Sequence, residues 1–119
     1  MKPSQVLFHG TSLDYSEAIE EQGLVKQNFD VVFLTSDVAV AYQYAMKRVY
    51  DYNSNTLQPV ICVVNAVQMS KEGFCFQHNI DTAEWTIEHV PSEYIVQVAV
   101  ESEDDLENVV KYALSEYCL

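Results

Sequence analysis

The sequence has few basic residues: 6 lysines and arginines stand against 18 acidic residues, so the formal net charge is −12. Arg48 is the only arginine. Nucleic acids and anionic membranes are bound largely through lysine and arginine. This scarcity therefore argues against a long nucleic acid or a lipid surface, and favours a protein or a small molecule as the partner.

Paired cysteines, a leader segment and long apolar runs are also missing. The three cysteines are widely spaced with no C-x-x-C pair, a pattern typical of a cytoplasmic protein. No N-terminal signal region is visible, and the apolar run from Val60 to Val64 is too short to cross a bilayer. Cys75, His78 and His89 supply fewer than the four ligands of a structural zinc site, so we expect no metal.

The length of 119 residues is enough for one hydrophobic core. With 49% hydrophobic residues the chain is expected to fold by itself. We expect residues 1–119 to form a single domain, in which residues 101–119 are an acidic, helical C-terminal extension.

Short strands outnumber helices in the pattern of apolar residues. Strands are expected at Gln5–His9, Val31–Thr35, Val60–Val64, Phe74–Phe76, Glu84–Ile87 and Tyr94–Val100. Helices are expected near residues 14–22, 37–49 and 104–118, capped by Asp14 with Glu17, by Ser36, and by Ser102 with Asp105. The turns between strands favour an α+β fold over a doubly wound sheet. Residues 51–58 form a polar loop, and whether it closes over a ligand stays open.

Three short segments carry residues of chemical interest. They are Phe8-His9-Gly10-Thr11, then Phe33-Leu34-Thr35-Ser36 with the helix that holds Tyr42 and Tyr44, and finally Glu84-Trp85. Each also has a purely structural explanation: a polar turn, an apolar strand with an amphipathic helix, and a surface carboxylate.

Taken in this order, the segments resemble the NAD-dependent ADP-ribosyltransferase (ART) superfamily, and within it the RNA 2′-phosphotransferase family. The resemblance covers about Leu7 to Val98 and rests on LFHGTS, IEEQGLV, VFLTSDVAVAYQYA and W-x-x-x-x-VPSEYI. It continues in P-V-x-x-V, A-x-x-M and G-x-x-F between residues 59 and 76. The resemblance implies a compact ART-like fold with split, mostly antiparallel β-sheets, short flanking helices and NAD as co-substrate.

The resemblance also implies roles for the matching residues. His9 would contact the adenosine ribose of NAD, and the backbone of Gly10 would hold the nicotinamide amide. Phe33 would pack near the nicotinamide ring, while Glu84 and His9 would be the catalytic residues. Supporting positions in the NAD site would be Thr11, Thr35, Ser36, Arg48, and Tyr42 or Tyr44 as a second stacking wall. Glu88 and Glu93 are alternative carboxylates, ranked below Glu84.

The chain departs from the 2′-phosphotransferases at several points. No part of the 119 residues corresponds to their N-terminal winged-helix lobe, and Arg48 stands where they use several arginines. Phe33 replaces a histidine, and Glu84 replaces an apolar residue. Because phosphate is held best by an arginine fork, these departures argue against phosphate removal. The His-aromatic-Glu set resembles instead the mono-ADP-ribosyltransferases and poly-ADP-ribose polymerases.

The leading hypothesis from the sequence is a mono-ADP-ribosyltransferase that passes ADP-ribose from NAD to an unidentified acceptor and releases nicotinamide. Glu84 would stabilise the positive charge that develops on the ribose in the transition state. One alternative is a 2′-phosphotransferase acting on RNA or a small molecule with NAD. Another is an inactive ART-like module that uses its acidic surface for binding or inhibition.

Overall fold

A computed structural model describes residues 3, 6–25, 31–51 and 58–117. These residues form eight strands, at Leu7–Ser12 (β1), Leu24–Val25 (β2), Val32–Thr35 (β3), Pro59–Val64 (β4), Gln77–Asn79 (β5), Glu84–Ile87 (β6), His89–Val90 (β7) and Ile95–Ala99 (β8). The α-helices among them are Ser16–Gln22 (α1), Val38–Asp51 (α2), Ala66–Lys71 (α3) and Leu106–Glu116 (α4).

Six of these strands form one sheet in the order β5-β6-β3-β1-β4-β8, and β2 pairs with β7 in a separate small sheet. Every pair is antiparallel. The α+β fold with mostly antiparallel sheets, short helices and a C-terminal helix is therefore confirmed.

Strand β4 is buried on both faces and lies between β1 and β8 in the sheet. All six of its residues are buried, as the uninterrupted apolar run predicts. It pairs with β1 over six residues and with β8 over five. Successive side chains of the neighbouring strand β1 point to opposite faces of the sheet. Leu7 therefore belongs to one hydrophobic core and Phe8 to the other.

The two cores lie on opposite faces of the six-stranded sheet. The first contains Ile19 of α1 and Met69 of α3. The second contains Ala41 of α2, and Val109 and Ala113 of α4. Helix α4 thus contributes to the second core.

The helix caps differ from the sequence prediction at two of three places. Asp14 and Glu17 form no capping box, because Asp14 accepts a hydrogen bond from the Ser12 hydroxyl instead. At α2 the cap is Asp37, not Ser36: its Oδ1 accepts the Ala39 N–H at 2.9 Å. The Asp37 N–H in turn donates to Thr35 Oγ1 at 3.1 Å.

Two further elements differ from the sequence prediction. Residues 74–76 form no strand, which corrects the sequence prediction; Phe76 is buried in the first core and Phe74 packs edge-to-face on Tyr94. The strand begins one residue later, as β5. Helix α3, capped by Asn65 at the Gln68 N–H, was not predicted. Residues 52–57 of the predicted polar loop lie outside the described residues.

Within the described ranges no helix is long and apolar enough to cross a membrane. No group of three or more His, Cys, Asp or Glu side chains in those ranges could hold a metal ion. Two residues considered above as metal ligands, His78 and His89, have other contacts. His78 stacks on Trp85, with ring centroids 4.2 Å apart. His89 Nε2 lies 2.7 Å from the Gln22 carbonyl oxygen.

The predicted capping box before α4 is confirmed and gives a test of stability. The side chains of Ser102 and Asp105 each bond to the backbone at the other residue. We expect Ser102→Ala to lower the free energy of unfolding by about 1 kcal/mol, because the Asp105 N–H loses the Ser102 hydroxyl and keeps only the Ser102 carbonyl as its acceptor. Urea denaturation measures the change, with Ser115→Ala on the exposed side of α4 as the control. Equal stability of the two variants would contradict the cap.

Candidate active site

A cleft of about 840 Å³ opens on the side of the sheet where β1 and β3 meet. Its size falls within the roughly 300–1,000 Å³ typical of small-molecule sites. Strands β1 and β3 are in register only at Phe8 and Thr35, whereas β1 pairs with β4 along its whole length. Because this pairing is short, there is room for the cleft between β1 and β3. Residues of α1 and α2 also line the cleft.

The wall of the cleft contains most of the residues that the sequence marked for a site. His9, Gly10, Thr11, Phe33, Thr35, Arg48 and Glu84 all line it. These residues come from β1, β3, α2 and β6, which are distant in sequence. The fold therefore brings together the three segments of chemical interest, although their roles toward NAD stay predictions.

Two predicted site residues lie elsewhere, which corrects the sequence assignment. Tyr42 packs against the second core, and Ser36 lines a different, smaller groove beside α4. Two other predicted positions do line the cleft: Thr35, directly before Ser36, and Tyr44, the alternative to Tyr42.

Gly10 is required by packing between β1 and α2. A Cβ atom at this position would lie 1.9 Å from the carbonyl oxygen of Ala41 and 2.8 Å from the amide nitrogen of Ala45. Both atoms belong to the backbone of α2, which cannot rotate away as a side chain could. The glycine therefore lets α2 lie directly on β1, and this places the helix residues that face the cleft.

His9 is held by a hydrogen bond across the gap between the two strands. Its Nδ1 lies 2.9 Å from the carbonyl oxygen of Phe33, which can only accept. Burial lowers the pKa of His9 from its usual 6.5, the Phe33 bond opposes that shift, and the charge of Arg48 adds to it. The imidazole is thus neutral near pH 7, with Nδ1–H as donor and Nε2 left as an acceptor.

This lowered pKa predicts how His9 affects stability. Below pH 6.5 the unfolded chain takes up a proton at this histidine more readily than the folded chain does. The free energy of unfolding therefore decreases as the pH falls through that range. We expect His9→Gln to remove this contribution, so the stability difference between wild type and variant should shrink from pH 7.5 to pH 5. Parallel urea-denaturation profiles would refute the prediction.

Glu84 stands at the first position of β6, directly opposite Thr35 of β3. The turn before it is tight: Asn79 Oδ1 accepts the N–H groups of Asp81 and Thr82. Ala83, the last residue of the turn, has a positive φ of 59°, which is uncommon for a residue with a side chain. The chain therefore enters β6 at Glu84, with the carboxylate at the cleft.

The polar side chains around the cleft carry both signs of charge. Glu84 accepts a hydrogen bond from the Tyr44 hydroxyl at 2.9 Å. Lys47 and Arg48 also line the cleft. The guanidinium of Arg48 lies 4.5 Å from the centre of the Tyr15 ring, a cation–π contact that orients it. The cleft thus offers a carboxylate together with two cations for an anionic ligand.

Tyr15 and Lys47 were not assigned to the site from the sequence. Helical spacing could have found the cleft-facing side of α2, because Ala41, Tyr44 and Arg48 follow one another at i, i+3 and i+7. Tyr15 carried no such signal, since it lies in a 3-10 turn.

Comparison with curated proteins identifies relatives over most of the chain. A probable RNA 2′-phosphotransferase of Acetivibrio thermocellus is 34% identical over 93 residues, which are 78% of this chain and 47% of that protein. The probable RNA 2′-phosphotransferase of Rhizobium johnstonii is 35% identical over 79% of this chain and 47% of its own length. The chain is a homologue of the RNA 2′-phosphotransferases.

The chain spans about half the length of the RNA 2′-phosphotransferases it matches. The same holds for the Lacticaseibacillus paracasei relative, which is 30% identical over 79% of this chain and 46% of its own length. No protein-family model matches the chain. The RNA 2′-phosphotransferases are transferases by name.

Proposed function

We propose that the protein is a transferase of the RNA 2′-phosphotransferase type, which moves a 2′-phosphate from a short or terminal ribonucleotide to NAD. The observation that carries this proposal is the homology to those enzymes, in a chain whose cleft is lined by His9 and Arg48. Phosphate transfer is therefore proposed ahead of ADP-ribosyl transfer, which was the leading hypothesis from the sequence alone.

The chemistry of the described residues supports NAD as the co-substrate. The acceptor Nε2 of His9 suits a ribose hydroxyl, and Phe33, which lines the cleft, would pack near the nicotinamide ring. Lys47 and Arg48 offset the negative charge of a pyrophosphate. The acids at residues 101–107 lie outside the cleft wall, and charges more than about 8 Å away are largely screened at physiological salt.

The chemistry begins with cleavage of the bond between ribose and nicotinamide. An oxygen of the 2′-phosphate forms a bond to the ribose carbon, and nicotinamide leaves with the electron pair of the broken bond. Glu84 would accept a hydrogen bond from the neighbouring ribose hydroxyl and stabilise the positive charge on the sugar. That hydroxyl then attacks phosphorus, releasing the RNA 2′-hydroxyl and a cyclic phosphate of ADP-ribose.

The distribution of positive charge favours a short substrate. Among the described residues the basic side chains are Lys47 and Arg48 in the cleft, Lys71 at the end of α3, and Lys111, which pairs with Glu107 at 3.4 Å. Lysines and arginines along a groove are what long RNA requires. We therefore expect recognition of the phosphorylated nucleotide and its immediate neighbours.

ADP-ribosyl transfer to another acceptor is the second candidate. It is favoured by the position of Glu84, since a carboxylate held beside the cleft is the feature that the sequence shares with mono-ADP-ribosyltransferases. Both candidates need the same first step on NAD. They differ in the oxygen that attacks the ribose and in the product.

The decisive experiment incubates the protein with NAD and a short oligoribonucleotide that carries one 2′-phosphate. We expect nicotinamide release, a dephosphorylated oligonucleotide and a cyclic phosphate of ADP-ribose. The same oligonucleotide without the phosphate is the control and should give none of these products. Label from NAD on protein or nucleic acid, without the cyclic product, would favour the second candidate. Failure of NAD to bind in calorimetry would overturn both and leave a binding module.

A further inference from the structure

One hydrogen bond ties α2 to the start of β6 across the wall of the cleft. The Tyr44 hydroxyl donates to Oε1 of Glu84 at 2.9 Å, although the residues are 40 positions apart in the sequence. Both side chains line the cleft. The bond is therefore a product of the fold, located where the proposed chemistry takes place.

We propose that Tyr44 is a positioning residue for Glu84: its hydroxyl holds one carboxylate oxygen and leaves the other to accept the hydroxyl of the ribose. This inference rests on the proposed function, because it requires Glu84 to act on NAD. It applies equally to phosphate transfer and to ADP-ribosyl transfer, which share the step at the ribose.

The surroundings of Tyr44 support a role beyond packing. Its side chain is 51% exposed and belongs to neither hydrophobic core. Tyr42, two residues earlier on the same helix, packs against the second core instead. A half-exposed tyrosine contributes little buried apolar surface, so the contact with Glu84 is its principal described interaction with a distant element.

The chemistry of the pair is also suitable. A glutamate side chain has several rotatable bonds, and fixing them costs conformational entropy. Because the hydrogen bond from Tyr44 already fixes the Glu84 side chain in the free protein, this entropy is not lost again when the substrate binds. The bond to Glu84 raises the pKa of Tyr44 above its usual 10.0, so the hydroxyl remains a donor throughout the neutral range.

The test is Tyr44→Phe, which keeps the ring and removes only the hydroxyl. We expect kcat to fall about tenfold, the effect of losing one hydrogen bond to a charged group, while the KM for NAD stays the same. Tyr42→Phe is the matched control, since it removes a hydroxyl from the same helix outside the cleft. The double variant Tyr44→Phe/Glu84→Gln should be no slower than Glu84→Gln, because both changes disable one carboxylate.

A second measurement does not depend on activity. In protein labelled with carbon-13 at glutamate, the carboxyl signal of Glu84 should shift in Tyr44→Phe and stay in place in Tyr42→Phe. An unmoved signal, or an active Tyr44→Phe with wild-type kcat, would overturn the role of Tyr44 alone. A rise in KM with unchanged kcat would do the same and assign Tyr44 to ground-state binding. A wild-type protein that binds no NAD would instead overturn the proposed function.

Discussion

Gly10→Ala should destabilise the protein by about 3 kcal/mol or more, the upper range for inserting a methyl group into close-packed structure. The added Cβ would lie 1.9 Å from the Ala41 carbonyl oxygen, well inside van der Waals contact. Relief requires the whole of α2 to move away from β1, because the clashing atoms are backbone. Ala41 and Ala45, which pack at this contact, are both fully buried and would lose their neighbours.

Urea denaturation followed by circular dichroism measures this loss. Gly73→Ala is the control, because Gly73 has a φ of +100° and no heavy atom within 4 Å of the position of its Cβ. That variant meets backbone strain of about 1–2 kcal/mol without a clash. If Gly10→Ala were as stable as Gly73→Ala, the close contact between α2 and β1 would not be the reason for glycine at position 10.

Glu84→Gln should reduce turnover of NAD by about 100-fold to 1,000-fold, comparable to the loss of one well-placed electrostatic contact in other enzymes. The amide keeps the shape of the side chain and can still accept the Tyr44 hydrogen bond. It lacks the negative charge that would stabilise the ribose as nicotinamide departs. The dissociation constant of NAD should change little, since the charge acts on the transition state.

Nicotinamide release measures the turnover, and calorimetry measures NAD binding. Glu88→Gln and Glu93→Gln are matched controls, because both carboxylates are exposed and neither lines the cleft. Each should retain full activity. Wild-type turnover in Glu84→Gln would show that the carboxylate takes no part in the reaction, and a loss in Glu88→Gln would move the assignment to that residue.

Where a single stretch of sequence carries a long enough pattern, it predicts the structure well. The apolar run at Val60–Val64 becomes the buried strand β4, and Glu84–Ile87 becomes β6 with the predicted bounds. The pattern fails for β2 and β7, which are two residues long, and for α3, which has six. A helix of six residues completes fewer than two turns, so its apolar period has too few members to be recognised.

The α+β class and the buried strand β4 could be predicted from the sequence, because both depend on local composition and on the apolar pattern, and most of the residues marked for a site line the cleft. Which residues of α2 face the cleft depends on tertiary packing. Residues two positions apart on a helix differ by about 200° in direction, so the packing of α2 on β1 at Gly10 places Tyr44 at the cleft and Tyr42 at the second core. The bond from Tyr44 to Glu84 exists only because that packing brings α2 to the edge of β6.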